Sequence, residues 1–427
     1  MTALTTILLL IGWTAVLFGA SVIGGWQWRI SAPRGDTTAF ATAAQAMIER
    51  NNRGNVGFAM LHNGRIVAEH FVSIGAPVDQ DTLFQAASIS KWVAAWGVMK
   101  LAEEGRIDLD APVSTYITRW RLPDGRFDES QVTGRRLLSH TAGLTDGLGY
   151  GGFAPGAPLQ TLEASLTRAA DASFGADGRV RVGARPGERF QYSGGGYALL
   201  QLLIEEITGQ PFNDYMQGAV LRPLGMTRST YVLSADTPNV AESFDSGSEA
   251  IYYRFSALAP ASLHTSVADM ARFLQAHVAG ANGEPPGRGV LRPETLEEMR
   301  RPHARIFGGA IFGLGTFLYA PNNAGGFVIG HEGENAPAIH TSARIDPASG
   351  DGIVLLETGH PRLAANIANE WVLWNTGNES FIMKLADAQR ALPVLLGGWL
   401  AIAAGALIVV GFVIARRRQW PPTGRRQ

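Results

Sequence analysis

Ala391 to Ala415 is a run of 25 residues without a charged side chain, and it ends on Arg416, Arg417 and Arg418. A helix of that length spans the roughly 30 Å hydrocarbon core of a bilayer. Basic residues beside an apolar span mark its cytoplasmic side, so the tail at 417–427, with Arg425 and Arg426, is expected inside. The other end of the chain has the same character. No charge occurs before Arg29, and the run from Leu4 to about Gly25 leads into Trp26 and Trp28, side chains suited to the membrane interface. No Lys or Arg precedes this run, so it lacks the basic head of a cleaved secretion signal, and residues 1–30 are expected as an uncleaved anchor. One transmembrane helix at each end, the second at 390–416, would bracket a single extracytoplasmic domain at 38–385. That domain would hold the bilayer through two segments.

Composition narrows what the domain does. A formal net charge of −1 supplies no basic surface for nucleic acid. There is no cysteine, which excludes disulfides, thiol catalysis and cysteine-ligated metal. The nine histidines show neither H-x-x-x-H nor H-E-x-x-H spacing, so no metal is expected, and no other cofactor.

The helical pattern ATAAQAMIERNN precedes two strand-like runs, VGFAMLHN and RIVAEHFVS, joined by a turn at Asn63-Gly64. Helices are expected around 161–172 and 196–208, and a surface loop at 280–289. Late in the chain GLGTFLYA, GGFVIGHEG, AIHTSARIDP and GIVLLETG read as strands, with a hairpin turn at 347–352. The apolar run near Phe307–Phe317 is expected as core strands rather than a pocket wall. Strands at both ends with helices between predict one sheet assembled from both ends and covered by helices, an α+β arrangement.

The chemistry centres on Ser88 and Lys91, in FQAASISKWVAAWGVMK. Positions three apart at the start of a helix share a face. A serine hydroxyl is a poor nucleophile until a base takes its proton, and a lysine serves as that base once desolvation lowers its pKa. The following WVAAWGVM is apolar all round, which predicts a buried helix. Alone, the pair fits equally well a buried helix whose serine bonds its own backbone and whose lysine reaches outward.

Five further blocks follow in order: LLSHTAGL at 137–144, PGERFQYSGGGYALLQLLIEEITG at 186–209, LRPLGMTRSTY at 221–231, PASLHTSVADMARFL at 260–274 and GHEGENAPAIHTSARIDP at 330–347. With Ser88-Ile-Ser-Lys91 the series resembles the serine beta-lactamase-related family: class C beta-lactamases, D-alanyl-D-alanine carboxypeptidases and the esterases that share their fold. The resemblance covers about residues 45–360. It implies a penicillin-binding/beta-lactamase-like fold, with a central antiparallel sheet flanked by helices and a helical subdomain. Ser88 would be the acylated nucleophile and Lys91 its proton acceptor. Tyr192 matches the tyrosine of the family's Tyr-x-Asn motif; it would share the base role and relay a proton to the leaving group, nearby cationic charge favouring its phenolate. His331 stands where the family has Lys-Thr-Gly or His-x-Gly and would hold Tyr192 or the substrate. Gly333 would let substrate lie close along the strand, and the backbone N–H groups of Ser88 and Glu334 would form the oxyanion hole. The adjacent Ser139 and His140 point apart on a helix, so they make no dyad, and His140 is expected to be structural.

Three departures bear on substrate. Gly194 replaces the motif's Asn at the substrate-binding side, His331 replaces a lysine, and Glu332 and Glu334 add negative charge. A substrate carboxylate would lose a cation and meet repulsion. The expectation is a serine hydrolase acting on a small-molecule or peptide substrate, preferring esters or amides without a nearby carboxylate. Esterase, peptidase on D-amino acid bonds and beta-lactamase all stay open. The enzyme would sit in a bacterial inner membrane with its domain on the periplasmic side and no obligate protein partner. The other reading is a catalytically silent sensor or binding protein that keeps the fold.

Overall fold

The computed structural model describes residues 3–19, 30–147, 149–245 and 253–419. Asn63 and Gly64 take φ of 50° and 72°, as a two-residue hairpin turn requires, and join β1 (Val56–His62) to β2 (Arg65–Val72). Two short strands, β3 (Phe84–Gln85) and β4 (His264–Thr265), pair with each other apart from the main sheet. The later strands are β5 (Ala304–Ile306), β6 (Gly309–Phe312), β7 (Phe317–Pro321), β8 (Phe327–Asn335), β9 (Ile339–Ile345) and β10 (Gly352–Thr358). They complete an eight-stranded sheet in the order β2-β1-β10-β9-β8-β7-β6-β5. Every neighbour is antiparallel. The first and last strands of the domain, β1 and β10, pair with each other, with Phe58 opposite Leu355. This is the α+β architecture with a large antiparallel sheet and covering helices.

β9 and β10 are buried along their whole length. Their sequences do not alternate because helices cover both faces, Val267–Gln275 and Leu363–Thr376 among them. The Ile89–Glu103 helix is buried on all sides, as its apolar sequence requires, and packs Trp92 and Trp96 against Phe273. Full burial of such a side chain contributes roughly 1.5–3 kcal/mol.

Some boundaries differ from the sequence reading. The helix expected at 161–172 is Leu162–Arg168, capped by Thr161 Oγ1 on the Ala164 N–H. The next begins at Gly194, because Ser193 caps it, and ends where Gly209 turns left-handed at φ 68°. The Phe307–Phe317 run holds β6 and reaches the first residue of β7, but Phe307 sits at the β5–β6 turn and is 92% exposed, so only part of the run is core.

The described residues of the two end segments, within Met1–Arg29 and Phe381–Gln427, make up a compact unit distinct from Ile30–Ser380. Phe381–Gln419 is one helix, and its Leu392–Arg416 stretch is long and apolar enough to cross a membrane, with mean hydropathy 2.4. The expected span at the other end needs correction. Its described part is the 17-residue helix Ala3–Gly19, which at 1.5 Å per residue is about 26 Å long and falls short of a bilayer core. Among the described residues there is one candidate transmembrane helix, not one at each end. Positions 20–25, Trp26, Trp28 and the tail from 420 onward lie outside the described residues. The two end helices touch where Trp399 Nε1 donates to Thr14 Oγ1 at 3.1 Å.

Candidate active site

The strand β3 delivers the chain to a strained turn. Ala87 has φ 44°, a left-handed conformation that costs a residue with a Cβ roughly 1–3 kcal/mol. Its surroundings hold it there. The Ala86 N–H donates to Leu263 O at 2.7 Å, and Ser90 Oγ donates to Ala87 O while accepting the Leu263 N–H at 2.9 Å. Ser88 follows at the N-terminus of the Ile89–Glu103 helix.

Lys91 Nζ lies 3.1 Å from Ser88 Oγ and 2.8 Å from Pro260 O. The lysine is 1% exposed. Burial brings its pKa down to about 7, with the charge of Asp146 opposing the shift. Near neutral pH a substantial fraction is therefore uncharged and able to accept the Ser88 proton.

Tyr192 hydrogen-bonds Ser88, and Lys91 Nζ stands 5.0 Å from the centre of its ring. Burial pushes the phenol pKa up, and the bond to Ser88 only partly opposes this. The expected phenolate is therefore corrected: Lys91 does not offset desolvation, and Tyr192 is held as the neutral phenol.

Two residues that the sequence reading left out of the site fix Tyr192. His140, itself at φ 56°, accepts the Gln191 N–H on its carbonyl at 2.7 Å and the Ser193 N–H on Nδ1 at 3.1 Å. Its ring lies 4.2 Å from that of Tyr192. Asp146 accepts the Ser193 hydroxyl and the Gly195 N–H. Asp146 lies in a Gly-rich stretch that gives no sequence signal for this role. Ser139 Oγ donates to Arg135 O and forms no dyad with His140.

The strand β8 forms the opposite wall. β7 pairs with it only as far as Gly330, so one edge is open from His331 onward. His331, Gly333 and Asn335 alternate onto one face. His331 Nδ1 is 2.6 Å from Glu332 O and donates to it, which leaves Nε2 as a bare lone pair without a partner. Burial, with the charge of Lys91, brings the His331 pKa down to about 3, so the ring is neutral. It contacts the Tyr192 ring at 6.2 Å without a hydrogen bond between them. Glu332 pairs with the buried Arg344, whereas Glu334 is exposed.

Gly333 is required by the chain itself. A Cβ there would come within 2.1 Å of Ala86 O and 2.2 Å of Thr341 Oγ1. Gly194 does not line the cleft, against expectation; a Cβ there would meet Tyr150 Cε2 at 3.0 Å and Gly149 Cα at 3.3 Å. The Tyr150 ring lines the cleft instead. The cleft encloses about 690 Å³ and brings Ser88, Lys91, Tyr192, His331, Gly333 and Glu334 together, with Tyr150, Phe174, Phe190 and Phe317 in its walls. Among the described residues no group of three His, Asp or Glu side chains is placed to hold a metal ion.

Known proteins resemble this chain in sequence and fold. Residues 40–377 match the Beta-lactamase family. Esterase EstB of Burkholderia gladioli is 33% identical over 222 residues, 48% of this chain and 53% of that protein. Penicillin-binding protein 4 of Amycolatopsis lactamdurans is 27% identical over 350 residues, 78% of this chain and 84% of the relative. Protein flp of Staphylococcus aureus is 29% identical over 154 residues, 35% of this chain and 28% of its own length. The chain thus spans about half of EstB and less of flp. Among solved structures, the octameric penicillin-binding protein homologue from Pyrococcus abyssi superposes with TM-score 0.64 at 25% identity, covering 79% of this chain and 76% of the other. The hydrolase EstCE1 shares the fold with TM-score 0.59 at 18% identity, covering 78% and 97%. A serine, a buried lysine and a phenol brought together in one cleft, and a family match over residues 40–377, have one reading: this chain belongs to the Beta-lactamase family.

Proposed function

We propose that the Ile30–Ser380 body cleaves an ester or amide through an acyl-enzyme on Ser88. The observation that carries this reading is Lys91 Nζ, fully buried and 3.1 Å from Ser88 Oγ. Neutral Lys91 takes the Ser88 proton as Oγ attacks the substrate carbonyl. The oxyanion then accepts hydrogen bonds from the Ser88 and Glu334 N–H groups. As the tetrahedral species collapses, the Tyr192 phenol gives its proton to the leaving group and regains one from Lys91. Water then attacks the acyl-serine, Lys91 takes its proton, and Ser88 leaves with a proton returned through the same pair.

Esters and uncharged amides are the proposed substrates. Among the described residues lining the cleft Lys91 is the one Lys or Arg, His331 is neutral, and Glu334 is exposed beside the proposed oxyanion position. A substrate carboxylate finds no dedicated cation there. Similarity to a protein named as an esterase supports the same choice. The helix containing Leu392–Arg416 would anchor the enzyme in a bacterial inner membrane, with Arg416 to Arg418 on the cytoplasmic side and the hydrolase on the other. The catalytically silent alternative has no observation in its favour.

The test is intact mass of detergent-solubilised protein after treatment with a fluorophosphonate, with Ser88→Ala alongside. One adduct on the wild type and none on the variant is expected. Folded wild type that takes no adduct sinks the reading.

A further inference from the structure

A second cavity, of about 670 Å³, shares no lining residue with the cleft around Ser88. The small β3–β4 ribbon contributes Gln85 and His264 to its wall. These two are register partners on an antiparallel pair, so their side chains stand on one face with Cβ atoms roughly 5 Å apart.

Both side chains offer an acceptor. Gln85 is 7% exposed, and its Nε2 donates to Tyr253 O at 3.3 Å. That bond fixes the orientation of the amide and leaves Oε1 without a partner. His264 Nδ1 donates to Ser262 O at 3.0 Å, so Nε2 carries the lone pair. Burial brings the ring's pKa down to about 4, and it is neutral near pH 7. A polar atom removed from water without a partner is destabilising, so folded chains pair such groups or hold them for a ligand.

The chemistry of the wall selects the ligand. Two acceptors side by side match two adjacent hydroxyl or N–H donors. A carboxylate brings no proton to either acceptor. An ammonium finds no Asp or Glu among the described lining residues, and Arg254 opposes it. Leu159, Val232, Phe255 and Leu258 offer apolar contact to the rest of the molecule, and Leu159 and Val232 are exposed.

The same ribbon holds the nucleophile turn. The Ala86 N–H donates to Leu263 O, the Leu263 N–H donates to Ser90 Oγ, and Ser90 Oγ donates to Ala87 O. Tyr231, which also lines the cavity, donates its hydroxyl to Ser90 O at 2.9 Å. A ligand that bridges Gln85 and His264 needs β3 and β4 paired, and the residues beside that pairing keep Ala87 at φ 44°. Such a ligand binds the assembled turn better than a relaxed one and shifts the population toward it.

We propose that this cavity is a second ligand site, which takes a neutral molecule with an apolar body and two adjacent donors, and that filling it activates Ser88. The binding stands apart from the reading of Ser88 as the nucleophile; the activation rests on it.

The test uses the full chain in detergent, with 3-phenoxypropane-1,2-diol as the probe and its dimethyl ether, of the same body without donors, as the comparison. Equilibrium dialysis against detergent alone measures binding. The diol is expected to bind at least roughly tenfold tighter than the ether, the worth of one or two neutral hydrogen bonds. Gln85→Met, similar in length and without the acceptor, is expected to abolish that difference. His264→Phe carries the same test if the methionine variant melts lower. Equal binding of diol and ether to the wild type overturns the site, as does an undiminished preference in either folded variant. The rate at which a fluorophosphonate labels Ser88 is expected to rise about fivefold with saturating diol and to stay unchanged with the ether. Binding without a rise overturns the activation and leaves the site. If Ser88 is not labelled with or without diol, the hydrolase reading falls and the activation with it, while the dialysis still decides the site.

Discussion

Asp146 accepts the Gly195 N–H at 2.7 Å from 49 positions away in the chain. The same carboxylate takes the Ser193 hydroxyl, while His140 holds the N–H groups of Gln191 and Ser193. Tyr192 lies inside this grip, so its position is fixed before substrate arrives. Asp146 also acts on Lys91 through space, its charge raising the lysine pKa against burial.

Asp146→Asn removes that charge and keeps one acceptor oxygen. Lys91, relieved of a raising influence, should lose its proton at lower pH, and the acid limb of the kcat/KM profile should move down in pH. The plateau should fall as well, by up to roughly 100-fold, because Tyr192 is less firmly placed. A full pH–rate profile checks both. A limb that stays in place or moves up would show that Asp146 does not act on Lys91.

Lys91 is a cost that the fold bears for function. Its pKa is about 7 in the folded protein against 10.5 unfolded, so between those values the unfolded chain binds more protons. Stability from this group therefore rises with pH across the window 7–10.5, and below 7 the penalty is complete. Lys91→Met, similar in length and uncharged, should raise the melting temperature at neutral pH, by a free energy of about a few kcal/mol. It should lower kcat by roughly 10²–10⁴-fold. Melting temperatures measured from pH 6 to 10 (roughly the span of interest) decide it. A variant no more stable than wild type at pH 7 would contradict the lowered pKa.

The approach of Lys91 to Ser88 is legible in the sequence because a spacing of three on a helix is local geometry. The sheet built from both ends is legible because a strand pair opens the domain, helices fill its middle and a strand cluster closes it. The grip on Tyr192 is not, since His140 and Asp146 reach it across about 50 positions through the stacking of helices, which leaves no periodicity to read. The protonation of Tyr192 went astray for a related reason: nearby charge can be counted along a chain, but burial, the larger effect here, cannot. Gly194 reads as a lost contact, and only the fold shows the Tyr150 ring in its place. At the N-terminus, composition announces an apolar segment, of which the described part is the helix Ala3–Gly19.

Gly333→Ala tests the close approach of β8 to the nucleophile turn. The new Cβ would meet Ala86 O at 2.1 Å, and that oxygen is backbone and cannot swing aside. The strand must back away, which moves the Glu334 N–H from the oxyanion position. Stability should fall by roughly 1–3 kcal/mol and the rate of fluorophosphonate labelling by at least about 100-fold. Gly218→Ala, where a Cβ meets nothing within 4 Å, is the control and should leave labelling unchanged. Equal behaviour of the two variants would remove the argument from contact.

His277 predicts how the protein responds to acid. Its ring stacks on Trp92 at 5.0 Å, meets Trp96 edge-on at 5.1 Å, and presents an Nε2 without a partner. Burial, with the charge of Arg300, lowers its pKa to about 3. Between that value and the ordinary 6.5 the unfolded chain binds a proton that the fold refuses, so stability falls as pH drops through this window. His140, His264 and His331 are buried and lowered too, and add to the slope. His277→Leu removes one of these protons and an unpaired nitrogen. Relative to wild type, its unfolding free energy should gain about 1.4 kcal/mol per pH unit below 6.5. Denaturant titrations of the two proteins at several pH values measure the slopes. A constant offset between the curves, with no change of slope, would mean that the imidazole takes its proton inside the fold and that burial does not set its pKa.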